Sequence, residues 1–210
     1  QELRRRKYTS AHTSVQLVIF RMRGTIAAMS EINQGIGEEE AALRAVIDEI
    51  EIGAASVGWD RPPSLYALVP TSELLQTPGL PDDVAQSLRE AWDGDPNHLS
   101  AILQESLGQD TLEEMLPRLV WPDSVYGAAI TVERVIVPPQ VEAEAPSDPE
   151  EALEFISGHP LAADVRIVVG VTRAGHSWCE VRTKKYDERA SVGKGVNLVP
   201  SLVEGLEMGF

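Results

Sequence analysis

Cys179 is the one thiol in the sequence, three residues after His176. A cysteine attacks as its thiolate, so a nucleophilic role needs a nearby cation or helix N-terminus to lower its pKa. The pattern around Cys179 is that of mid-strand, where a cysteine serves as a small hydrophobe. The histidines at 98, 159 and 176 each sit beside a turn residue, and no pair has metal-ligand spacing, so no metal site is expected. No serine lies in a nucleophile elbow. Gly193-Lys194-Gly195 lacks the spacing, the preceding strand and the following Ser/Thr of a phosphate-binding loop. The acid pairs Asp82-Asp83 and Glu113-Glu114 stand at predicted helix starts, where the helix dipole explains them.

Three other positions hold more promise. Trp59 and Trp121 each precede proline at the entry to a predicted strand, in Trp59-Asp60-Arg61-Pro62-Pro63 and Trp121-Pro122-Asp123. Rigid entries with large rings build either a packed corner or an aromatic groove at a sheet edge. Arg134 falls in phase with Ala128, Ile130, Val132 and Ile136 in an otherwise apolar strand. A guanidinium cannot stay unpaired in a core. It therefore meets a carboxylate, sits on a bulge, or holds an anionic ligand in a pocket between Trp59, Trp121 and this strand.

The elements that must position these residues follow from periodicity and punctuation. Glu38-Glu39-Glu40 opens a helix that carries Leu43, Val46, Ile47 and Ile50 and ends by about Trp59. Ser64 to Val69 reads as a strand, Thr71 and Asp82 as caps of short helices, and 97–108 as helix or strand. Thr111-Leu112-Glu113-Glu114 resembles a capping box. Tyr126 to Val137 is the clearest strand. Residues 140–149 read as a mobile acidic loop, followed by a helix with Pro149 in its first turn. Asp164 to Thr172 and Ser177 to Lys184 make a hairpin. Asp187 to Gly195 reads as a charged loop, and Pro200 begins a last helix. This order predicts an α+β fold, a mostly antiparallel sheet of about four strands with helices mainly on one face. Residues 38–210 form the single domain. The apolar run Val15 to Phe20 after Arg4-Arg5-Arg6-Lys7 is too short for a signal core; with Met29-Ser30 just before the composition turns acidic, residues 1–28 are expected to be an extension without a fixed fold or a misassigned start.

In the hairpin, alternation puts Val165, Ile167, Val169 and Val171 on one face with Cys179 and Val181. Arg166, Trp178, Arg182 and Lys184 fall on the other, which the pattern assigns to solvent. It would be the one clustered basic surface of the domain, able to accept an acidic segment of a partner or of the 140–149 loop.

Charge narrows the partners. The net charge is −15, and residues 24–163 alone carry five arginines against 26 acids. Such a surface repels nucleic acid and anionic lipid. One cysteine excludes an internal disulfide framework and suits a reducing, cytoplasmic setting. No stretch approaches the ~20 apolar residues of a membrane span.

Gly58-Trp59-Asp60-Arg61-Pro62-Pro63, Leu65 to Thr71, Trp121-Pro122, Val132-Glu133-Arg134, Pro138-Pro139 and Leu198 to Val203 resemble segments of an uncharacterised family of actinobacterial cytoplasmic proteins. The resemblance runs from about Glu38 to the end. That family has no established activity, so the resemblance implies no catalytic residue and no cofactor.

The leading expectation is a non-enzymatic binding or regulatory protein that uses the basic hairpin face on a protein partner. One alternative is an enzyme with an anion pocket at Arg134. Another is an acidic, homodimeric, secretion-chaperone-like protein that binds client segments.

Overall fold

The computed structural model describes residues 16–17, 37–104 and 112–210. The expectation for residues 1–28 thus lies, apart from Gln16 and Leu17, outside the described residues, as does the cap at Thr111.

The chain forms an α+β structure on one open antiparallel sheet. Its strands are β1 (Gln16–Leu17), β2 (Ser64–Pro70), β3 (Leu99–Leu103), β4 (Gly127–Ile136), β5 (Ala163–Thr172), β6 (Ser177–Thr183) and β7 (Gly193–Gly195), in the order β1-β3-β2-β4-β5-β6-β7. β3 resolves the ambiguous stretch as a strand, and β7 forms where a loop was expected. The helices are α1 (Glu38–Ser56), α2 (Thr71–Leu74), α3 (Asp82–Ala91), α4 (Leu112–Met115), α5 (Pro139–Glu142), α6 (Pro149–Ser157) and α7 (Pro200–Glu207). α5 occupies the start of the segment read as a mobile loop. Asp148 caps α6 by accepting from the backbone N–H groups of Glu150 and Glu151.

Two apolar layers hold the sheet. On one face, Ala128, Ile130 and Val132 of β4, Val165, Ile167, Val169 and Val171 of β5, and Cys179 pack beneath Val203 and Leu206 of α7 and Leu112 and Leu116. Cys179 is fully buried there, as a small hydrophobe would be. On the other face, Leu43, Val46, Ile47 and Ile50 of α1 lie over Tyr66, Leu68, Ala129 and Val168. Gly170 permits this approach, because a Cβ there would come 2.3 Å from Ile47 Cδ1.

The second layer corrects the solvent-facing hairpin surface. α1 covers it. Arg166 is 1% exposed and Arg182 4%, and Trp178 is half-buried against the α1 layer. Lys184 alone of the four keeps a largely open side chain. The reason is electrostatic as well as apolar, since the acids of α1 and of two loops neutralise the face.

Arg134 needs a second correction. It is exposed, along with Val135 and Ile136, because β2 pairs with β4 only as far as Thr131 and so does not flank this end of the strand. It belongs to neither buried cluster and does not line the cleft described below. Trp59 and Trp121 do not share a groove. Trp59 packs against the α1 face near Arg166. Trp121 packs on the opposite face, its ring 6.4 Å from that of Phe210.

Candidate functional site

The register of the sheet sets the polar residues of the α1 face in a row. Glu133 of β4 pairs directly with Arg166 of β5, and Arg166 with Arg182 of β6. Two guanidinium groups side by side repel each other, so each needs its own acid. Glu133 Oε1 accepts from Arg166 Nε at 3.2 Å and Nη2 at 2.8 Å. Glu51 of α1, itself 1% exposed, takes Arg182 with both oxygens, at 2.5 and 2.9 Å. Asp187 adds a contact to Arg182 at 3.2 Å. Further along α1, Asp48 pairs with Arg189 and Lys194, and Lys194 reaches the buried Glu180 at 3.0 Å. Burial pushes the Glu180 carboxyl up, and Lys194 opposes that rise. The lysine of Gly193-Lys194-Gly195 is thus an ion-pair partner.

The turn between α1 and β2 closes one end of this row. Gly58 and Asp60 both adopt left-handed backbone, with φ of 85° and 64°. Glu133 Oε2 holds the turn by accepting from the backbone N–H groups of Asp60, at 2.8 Å, and Arg61, at 3.4 Å. Arg166 Nη2 donates to the carbonyl of Gly58. The Trp59 ring lies 4.3 Å from the Arg166 guanidinium carbon, and its indole N–H donates to Asp187 at 2.9 Å. Arg61 donates from Nε and Nη2 to the carbonyl of Val57, capping the end of α1. The Trp59-Asp60-Arg61-Pro62-Pro63 segment is therefore a built corner, tied to β4, β5, the Asp187 loop and the end of α1.

Beneath this corner is a half-open cleft of about 440 Å³. Ala54 and Val57 of α1, Arg61 and Pro62 of the turn, Ser64 and Tyr66 of β2, and Leu103 of β3 form its walls. Thr131 and Glu133 of β4 and Arg166 of β5 complete it. Arg166 Nη1 has no hydrogen-bond partner, and the buried Thr131 hydroxyl lies beside the Tyr66 phenol. Burial raises the Tyr66 phenol above its ordinary pKa, against the opposing pull of the Thr131 and Ser64 hydroxyls nearby. Tyr66 thus stays a neutral donor at physiological pH. Glu133 is the cleft's one carboxylate, and both its oxygens are engaged.

The expected site residues scatter around this geometry. Arg166 lines the cleft and Trp59 stacks on it. Arg182 and Trp178 belong to the ion-paired row under α1, where Arg44 lies 4.0 Å from the Trp178 ring. Lys184 pairs with Asp60 at the rim, at 3.2 Å. Trp121 and Arg134 lie elsewhere. Two of the histidines serve local structure: His98 Nδ1 contacts the Thr71 hydroxyl at 2.6 Å, and His159 Nδ1 accepts from the backbone of Leu161. Among the described residues no three His, Cys, Asp or Glu side chains gather as metal ligands, and no helix is long and apolar enough to cross a membrane. Ser64, Tyr66 and Thr131 were not singled out by sequence. Alternation alone places small polar residues on a face without showing that helix and strand ends leave space above them.

These features define an α+β protein with one antiparallel sheet, helices packed against it, and a cleft beneath the corner that ends α1. The chain belongs to the PPA1309-like protein family, whose model matches residues 43–210 and so includes every residue of the cleft. No function is established for that family. No curated protein and no solved structure matches the chain.

Proposed function

We propose that this protein is a non-enzymatic, cytoplasmic binding module that takes a small molecule in the cleft under the α1 corner. The observation that carries the reading is Arg166. It is 99% buried, it lines the cleft, and one of its terminal nitrogens is left without a partner. A buried unpaired donor costs about 1–3 kcal/mol, and a ligand acceptor would recover that cost. Binding is favoured over chemistry because Glu133, the acid a reaction would use, is already committed to Arg166 and to the turn. Small-molecule sites share this pattern of an apolar concavity with a few placed polar groups.

The test is a fragment screen on the full chain, read by the NMR signal of the Trp59 indole N–H. Hits should move that signal, and Ala54→Trp, which fills the cleft without touching an ion pair, should abolish the response. Hits that bind Ala54→Trp equally well, or a screen that never moves Trp59, would refute the cleft as the site.

A further inference from the structure

Resting on that reading, we infer that the cleft's ligand is a monocarboxylate with an apolar body, its head group received by Arg166 and Thr131. Charge makes the first part of the case. The chain carries a net −15, yet the charged residues of the cleft are Arg61, Arg166 and Glu133, a local balance of one positive charge. The cleft is a cationic spot in an anionic molecule.

Donors make the second part. Arg166 Nη1 lacks a partner, and it and the neighbouring Thr131 hydroxyl can both donate to one head group. The cleft's carboxylate cannot accept from a ligand, since Arg166 occupies Oε1 and the turn occupies Oε2. A ligand that brings acceptors is therefore matched, and one that brings donors is not. The end of α1 would by itself repel an anion, because helix carbonyls point out of a C-terminus. Arg61 removes that obstacle by donating twice to Val57.

Shape and polarity make the third. Ala54, Val57, Pro62 and Leu103 give the cleft an apolar lining beside these donors. A volume of about 440 Å³ lies toward the low end of small-molecule sites, which suits a short aliphatic or single-ring acid. One net positive charge balances a carboxylate. A phosphate monoester brings nearly two negative charges at neutral pH and would leave one uncompensated.

The experiment titrates the full chain with hexanoate, 3-phenylpropanoate and indole-3-acetate, and with the amide of each. Phenyl phosphate is the third arm, and NMR is the readout. At least one acid should bind tenfold or more tightly than its amide. Thr131→Val should weaken that acid about fivefold while leaving the amide unchanged, and Ala54→Trp should block both. If acids and amides bind alike, the carboxylate inference falls while the cleft stands. Phenyl phosphate binding more tightly than every acid also overturns it. If no probe moves Trp59, the inference and the binding reading fall together.

Discussion

Beneath α7, β5 presents Val165, Ile167, Val169 and Val171, all within 5% of complete burial. Beneath α1, the same strand presents Arg166, Val168, Gly170 and Thr172, just as deeply buried. One strand thus serves two interiors of different chemistry. The α7 face is a dry aliphatic layer whose stability comes from apolar area and packing. The α1 face mixes a small apolar layer with charges that are tolerable only because they have partners, Glu133 by register and Glu51 from α1. Burying such pairs adds little net stability, but removing one partner is costly. The contrast also places the cleft. Aliphatic side chains close up against one another, whereas a row of fixed ion pairs holds its geometry, and at its end an unpaired donor can be left beside open space.

The largest expected effect breaks a pair on the α1 face. Arg182→Met leaves the Glu51 carboxylate buried without its bidentate partner and should cost about 3–5 kcal/mol in denaturant unfolding. Adding Glu51→Leu should return most of that loss, because two apolar residues need no partner. A single variant that loses less than about 1 kcal/mol would mean that water reaches the pair, and the contrast between the faces would collapse. The same argument changes what acidic substitutions at Arg182 would do, for they would unfold the α1 face before they altered any surface.

The matching test on the α7 face is Leu206→Ala. Leu206 is fully buried among aliphatic groups, so the loss should be about 3 kcal/mol, from transfer and cavity together. Calorimetry should show it unchanged between low and high salt, as expected of an interaction without charge. A strong salt dependence would erase the distinction being drawn.

The α7 face was legible in the sequence because it obeys one rule: alternating β-branched residues face an apolar helix. The sheet type and the main helices followed from the same periodicity and from the prolines and glycines that punctuate it. The α1 face was misread because Arg166, Arg182 and Lys184 follow the pattern of a wet surface, and no count of charges along a strand reveals the acids another element brings. Two residues did carry the signal. Gly170 removes a side chain from the centre of the supposed outer face, which makes sense only where a helix approaches closely. Glu51 falls four residues after Ile47, on the apolar stripe of α1, and an acid there calls for a buried cation. The cleft itself was not legible, since it depends on where α1 ends and how far β3 extends. Arg134 misled for a related reason: its phase was right, but β2 ends opposite Thr131 and does not flank that end of β4.

A third test concerns pH and belongs to α1 alone. Burial first, and then the neighbouring Asp48, push the Glu49 carboxyl from 4.5 to about 7. A folded-state pKa above the unfolded one means that the folded chain holds its proton more tightly. The contribution to stability is therefore intact below about pH 4.5, falls as pH rises, and reaches its full penalty above about pH 7. Glu49→Gln should remove the penalty. It should raise stability by about 2 kcal/mol at pH 8, allowing for the part exposure of the group, and change it little at pH 4. Equal gains at both pH values would show that the glutamine acts through packing or propensity.

The smallest effect sharpens the boundary of the sheltered row. Lys184 comes just after the end of β6, two residues on from Arg182 and in phase with it, and is also paired, with Asp60 at 3.2 Å. Its side chain is 41% exposed and that of Asp60 85%, so water screens the pair and the chain gives up side-chain entropy to hold it. Lys184→Gln should therefore cost under about 1 kcal/mol, fading further in high salt. Arg182 and Lys184 have the same charge sign, the same phase and the same kind of partner, and differ in whether α1 covers them. If Lys184→Gln instead costs as much as Arg182→Met, cover is not what separates the two positions. The Asp60 turn would then owe its left-handed geometry to Lys184 as well as to Glu133, and the corner over the cleft would be held from the rim inward.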